Sequence, residues 1–117
     1  MIIEQRVYTI KLGTAPVYFS NYEKLGLAAQ RRVLGNLVGY YVTDIGTLNQ
    51  VVHQWAYESY DDRDKRRVAL YKDAEWLAYI GKSRELGLVE KQETSIMIAA
   101  PFFEPVLRAM LAAGAKV

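Results

Sequence analysis

An α+β domain running strand, helix, strand, strand, helix, strand is what this sequence predicts, and three observations carry that expectation. Hydrophobic residues recur at two-residue steps in some stretches and at three- to four-residue steps in others. Turn and stop residues fall between those stretches, at Gly13, Gly35-Asn36, Gly46-Thr47 and Pro101. The 117 residues suffice for one domain and leave no room for two. The simplest packing of that order is a four-stranded antiparallel sheet with both helices on one face. The expected core spans 1–100, with a C-terminal tail over 101–117.

The first strand is read over residues 2–12. Ile2, Glu4, Arg6, Tyr8, Ile10 and Leu12 share one parity, and Gly13 closes the run. Thr14-Ala15-Pro16 then looks like a helix start, with the Thr14 hydroxyl as cap and proline tolerated in the first turn. Phe19, Tyr22, Leu25, Ala29 and Val33 lie on one helical stripe, which Gly35-Asn36 ends. Strands follow over 37–45 and 49–58, joined at Gly46-Thr47. If that pair makes the turn, Tyr40 faces His53, Val42 faces Val51 and Val38 faces Trp55; a one-residue bulge breaks this register. Ser59 to Asp62 has capping-box character with Asp in place of Glu. A helix runs from there to Tyr71, Lys72-Asp73 interrupts it, and 74–82 continues with Trp76, Leu77 and Ile80 on one side. The last strand covers 88–99. Pro101 stops it, and 105–113 reads as a short amphipathic helix with Gly114 as its stop.

Composition removes several function classes. Fifteen Lys and Arg against thirteen Asp and Glu give a net charge of +2, without the clustered basic footprint of a nucleic-acid binder. Lys65-Arg66-Arg67 sits directly behind Asp61, Asp62 and Asp64, the mixed pattern of a solvated helix face. The absence of cysteine removes disulfides, thiolate catalysis and cysteine metal sites. One histidine cannot assemble a nitrogen-rich zinc shell, so no metal is expected. The glycines fall into no phosphate-cradling spacing. Met1 to Arg6 becomes charged at once, leaving no signal-peptide core, and no apolar run has the length of a membrane span. A cytoplasmic protein with no membrane span is the expectation. Helices on one face leave the other face of the sheet open. That face is expected to carry aromatic side chains, and a second copy stacked there in a homodimer covers it.

The segment from Leu37 through Gly39-Tyr40-Tyr41-Val42-Thr43-Asp44-Ile45-Gly46 to Asn49, with His53-Gln54-Trp55 following, resembles the NIPSNAP family. So do Arg6-Val7-Tyr8-Thr9-Ile10-Lys11, Asp61-Asp62-Arg63, Glu75-Trp76 and Ala100-Pro101-Phe102. Together they span most of the chain from the first strand to Phe102. The resemblance implies a ferredoxin-like fold of the dimeric α+β-barrel kind, in which two sheets close around a shared lumen. The family has no settled chemistry. The wider barrel class includes cofactor-free monooxygenases, haem-linked enzymes and small-molecule binders, and fold alone does not choose among them.

His53 lies mid-strand on the parity of Val51, Trp55 and Tyr57. It reads as a catalytic proton acceptor or ligand anchor in the lumen, because histidine titrates near neutrality. It also reads as a structural residue bonded to a tyrosine hydroxyl or a backbone carbonyl, the more common role of a strand histidine. Arg6 and Tyr8 are candidate ligand-binding residues beside it, with Arg6 suited to an anion; the bland alternative pairs Arg6 with Glu4, Glu90 or Glu93. Tyr40, Tyr41 and Trp55 form an aromatic wall for a planar or hydrophobic ligand, or ordinary sheet and dimer packing. The expected function is a homodimeric barrel binding a small hydrophobic or anionic molecule in a lumen lined by His53, Trp55 and Tyr40, with no cofactor. Two alternatives remain: a non-catalytic protein-binding module using Phe102, Phe103, Leu107 and Leu111, and a cofactor-independent monooxygenase. Haem on His53 is a weaker third.

Overall fold

A computed structural model describes residues 1–114. Four strands form one sheet: β1 (Ile2–Ile10), β2 (Asn36–Val42), β3 (Gln50–Tyr57) and β4 (Val89–Ile98). Their order is β2-β3-β1-β4, and every neighbouring pair is antiparallel. The helices are α1 (Ala15–Leu25), α2 (Leu27–Leu34), α3 (Tyr60–Leu70), α4 (Ala74–Leu86) and α5 (Glu104–Gly114). Residues 115–117 of the expected tail lie outside the described residues.

The expected first helix is two. Tyr79 of α4 lies where a side chain at Gly26 would stand, its Cγ 2.9 Å from the position of a Cβ. The chain breaks there so that α4 can pack against it. Tyr18 and Tyr22 are buried, whereas Leu25 is largely exposed. Thr14 does not cap α1; its hydroxyl donates instead to the Lys11 carbonyl, 2.6 Å away, closing the strand-to-helix turn. Ser59 does cap α3, accepting from the Asp62 amide at 3.1 Å, while the Asp62 carboxylate accepts from the Glu58 amide. Asp73 ends the α3–α4 break by accepting from the Trp76 amide.

The hairpin register holds near the turn and fails further in. Tyr40 pairs with His53 and Val42 with Val51, but Leu37, not Val38, pairs with Trp55. A bulge between Leu37 and Gly39 inserts one residue on β2. It turns Leu37 and Tyr40, which have opposite parity, onto the same face. The connection is also longer than a two-residue turn: it runs over 43–49, with left-handed backbone at Gly46 and Asn49.

The core lies between the sheet and α1–α4. Ile2, Ile10, Val51, Trp55 and Tyr57 pack there against Tyr18, Tyr22, Leu34, Leu70, Trp76 and Tyr79. The opposite face departs from expectation in two ways. It carries few aromatics, since the parity of Ile3, Gln5 and Val7 continues across β3 as Ala56, Gln54 and Val52, and Gln54 donates to Gln5 at 2.9 Å. And α5 crosses one corner of it. Leu107 is buried against Ile3 and Ala56, with Val38 and Leu111 alongside.

Candidate ligand-binding site

Antiparallel pairing sets three side chains in a row across neighbouring strands: Tyr40 on β2 faces His53 on β3, which faces Arg6 on β1. All three point beneath the helices, as does Tyr8. The expected lumen between two sheets lies on the other side of β3. His53, Trp55 and Tyr40 therefore line no such lumen: strand alternation places them on the helix-covered face. Tyr41 is not in the wall either. It follows Tyr40 directly, so it projects from the opposite face and is 55 % exposed.

His53 is 1 % exposed. Its Nδ1 accepts a hydrogen bond of 2.8 Å from the Trp55 indole Nε1. An indole N–H only donates, so this nitrogen carries no proton and the neutral ring holds its proton on Nε2. That Nε2 is buried and finds no partner within the protein. The Tyr40 ring lies parallel to the imidazole at 4.7 Å, and Tyr8 meets it edge-on at 4.8 Å. Burial, reinforced by the positive charges of Arg6 and Arg67, pulls the His53 pKa down to about 3 from 6.5. With its one lone pair taken by Trp55, His53 is a fixed donor. It is not the proton acceptor that its residue type suggests, and it offers no free nitrogen to a haem iron.

Tyr18, Tyr22, Tyr40 and Tyr79 nearby are held neutral. Tyr40 and Tyr18 share a hydroxyl–hydroxyl bond of 2.7 Å, and Tyr22 donates to Gln30. Burial pushes the hydroxyls of Tyr18, Tyr22 and Tyr40 far above their ordinary value, and that of Tyr79 to about 12. Trp76, on α4, contributes a second buried N–H without a protein partner.

Arg6 joins this row to a buried charge cluster. Its Nε donates to the Tyr8 hydroxyl at 3.2 Å, and its Nη1 stands 3.6 Å from Glu4 Oε2. Glu4 is fully buried. Two nitrogens of Arg63 donate to the same Oε2, at 2.9 and 2.6 Å, and Arg67 lies 3.7 Å from Oε1. Three guanidiniums thus surround one carboxylate. The bland pairing of Arg6 with Glu4 is present as a contact, but the direct hydrogen bonds to Glu4 come from Arg63.

These walls enclose a cleft of about 70 Å³, bounded by Arg6, Tyr8, Tyr40 and His53 on the sheet and by Tyr18, Tyr22, Trp76 and Tyr79 on the helices. It continues into a bowl of about 460 Å³ that shares Tyr71, Ile80, Ser83, Val89 and Gln92 and adds Arg84 and Gly87. Trp55 lies behind the cleft and acts through His53. The inner volume is far below what a porphyrin needs. Among the described residues no three acidic or imidazole side chains gather as a metal-holding group, and no described helix is long and apolar enough to cross a membrane. The sequence reading named Glu4 only as a pairing partner of Arg6 and gave no site role to Arg63, Arg67, Tyr71 or Trp76. Their available signal was the four-residue spacing of Arg63, Arg67 and Tyr71, which places them on one face of α3.

The fold and the helix-covered cleft define a ferredoxin-like α+β protein. A solved structure of a Nitrosomonas europaea protein, whose name places it with the antibiotic biosynthesis monooxygenases, has the same fold at 12 % identity, with a TM-score of 0.60 over 85 % of this chain and 98 % of that one. The family is narrower: the model of the NIPSNAP family matches residues 3–104, and the chain belongs to that family. A solved NIPSNAP family protein from Agrobacterium tumefaciens is 44 % identical, with a TM-score of 0.80 over 86 % of this chain and 87 % of that one. Protein NipSnap homolog 3A of Homo sapiens is 34 % identical over 100 residues, 85 % of this chain. Those residues are 39 % of the human protein, so the chain spans about two fifths of its length.

Proposed function

We propose that this chain binds a small planar molecule in the cleft beneath its helices, with the His53 Nε2–H donating to an oxygen of the ligand. The observation that carries this reading is the unpartnered, fully buried donor of His53, held between two tyrosine rings and oriented from behind by Trp55. A buried N–H without a partner costs about 1 to 3 kcal/mol, which an acceptor on a ligand recovers. The bowl gives such a molecule a route in, and flat aromatic walls suit a flat ligand. Binding is supported better than proton-transfer catalysis, because His53 has no free lone pair and burial keeps Tyr18, Tyr22, Tyr40 and Tyr79 neutral. The oxygenase alternative rests on likeness of fold alone. The homodimer belongs to the same proposal, supported by Tyr41 and Met97 exposed on the sheet side away from the cleft. The protein-docking alternative loses Leu107, which is consumed by packing on the chain's own sheet.

The chain has two tryptophans, so a nitrogen–proton correlation spectrum shows two indole signals. Benzamide and benzoate at millimolar concentration are expected to shift the Trp76 indole signal strongly and to show saturation transfer from the protein. Silence of both probes overturns the reading.

A further inference from the structure

We propose that the deep end of the cleft is an oxyanion site: it takes the carboxylate of a planar organic acid, held by the Arg6 guanidinium and the His53 N–H, while the flat body of the acid lies in the bowl between α4 and β4. This rests on the ligand reading above and names its chemical class.

Charge is the first argument. The charged side chains lining the cleft and the bowl are Arg6 inside and Arg84 at the mouth, and no acidic side chain lines either among the described residues. The one buried carboxylate nearby, Glu4, is hydrogen-bonded by Arg63 and has Arg6 at 3.6 Å and Arg67 at 3.7 Å as further neighbours. Arg63 also pairs with Asp64 at 3.1 Å. Three guanidiniums thus face two carboxylates, which leaves one positive charge in excess beside the cleft. Arg6 is 14 % exposed at its side chain; its hydrogen bond is to the Tyr8 hydroxyl, and it shares Glu4, at 3.6 Å, with Arg63 and Arg67. A buried guanidinium with spare donors is matched best by an anion with two oxygens.

Hydrogen-bond direction is the second argument. The buried groups of the cleft without a protein partner are both donors, the His53 Nε2–H on the sheet and the Trp76 Nε1–H on α4. Donors on both walls select acceptor oxygens and reject amines. Shape is the third. The inner cleft admits a head group of a few heavy atoms, whereas the bowl is several times larger. Parallel and edge-on rings around His53 favour a flat head over a tetrahedral phosphate.

The test compares benzoate with its neutral isostere benzamide by titration calorimetry on the full chain. Benzoate is expected to bind about tenfold tighter or more, the scale of one charge-assisted hydrogen bond. Arg6→Gln is expected to erase that preference while leaving benzamide within about twofold, and Arg6→Lys to retain part of it. Because Arg6 is largely buried, Arg67→Gln, at a side chain 22 % exposed on α3, serves as a second variant, expected to weaken benzoate selectively by removing the excess positive charge. Equal binding of benzoate and benzamide to the wild type overturns the anion assignment and leaves the ligand reading standing. Binding of neither removes the ligand reading itself. Inorganic phosphate displacing benzoate at equal concentration overturns the planar carboxylate as the ligand class.

Discussion

At the scale of single residues, the pairing of Trp55 with His53 decides what the chain's one histidine does. The same side chain with a free Nδ1 is a base near neutrality; with Nδ1 occupied it is a donor whose protonation is suppressed. This has a consequence for stability. In the unfolded chain His53 binds a proton near pH 6.5, whereas in the native state it resists protonation until about pH 3. The unfolded state therefore holds more protons between these values, and stability falls as pH drops through that window by up to about 1.4 kcal/mol per unit. Carboxylates also contribute further down: Glu58 is held below 4.5 by its hydrogen bonds from Arg108, and Asp73 below 3.8 by the Trp76 amide and Arg32. The range from 6.5 to about 5 thus belongs to the histidine. Urea midpoints measured across that range are expected to decline in the wild type and to stay nearly level in His53→Gln, which keeps an acceptor for Trp55. A parallel decline in both proteins contradicts the native pKa.

At the scale of elements, local signals were legible where the chain satisfies its own backbone and misleading where a neighbour intervenes. Ser59 and Asp62 lie three residues apart, and the cap forms as their types require. Ser59→Ala is expected to lower the unfolding free energy by about 1 kcal/mol in denaturant titrations, without altering the response to benzoate. A loss below a few tenths of a kcal/mol means the cap is idle. Thr14 has the same cap chemistry, yet its hydroxyl is drawn back to Lys11. The single helix expected through Ala29 and Val33 was misread because Tyr79, more than fifty residues later, splits it at Gly26. The bulge before Gly39 has no signature in the alternation of β2. It nonetheless decides that Tyr40 covers His53 and that Tyr41 does not.

At the scale of the whole molecule, the ligand cleft and the open face of the sheet lie on opposite sides of the same strands. The aromatic side chains expected to demand a partner are mostly beneath the helices, and α5 covers one corner of the other face. What remains uncovered is a mixed surface with Tyr41 and Met97 on it. A homodimer across that surface predicts a two-chain mass in sedimentation at micromolar concentration. Tyr41→Asp is expected to shift the protein to monomer while leaving the Trp76 indole response to benzoate intact, since the cleft is built by one chain. A monomeric wild type, or a cleft silenced by Tyr41→Asp, contradicts this separation.

The order of strands and helices, the two pairs nearest the hairpin turn and the membership of the NIPSNAP family were all legible in the residues, because periodicity, turn chemistry and an extended local motif are written along the chain. So was the companionship of Arg6, Tyr8, Tyr40 and His53, which follows from antiparallel pairing. Tertiary structure alone decided which face they take, which nitrogen of His53 holds the proton, and that Glu4 binds Arg63 from a helix 59 residues away. Those are matters of burial and of contacts between distant segments, and a strand pattern that mixes polar and apolar residues on both parities carries no record of them.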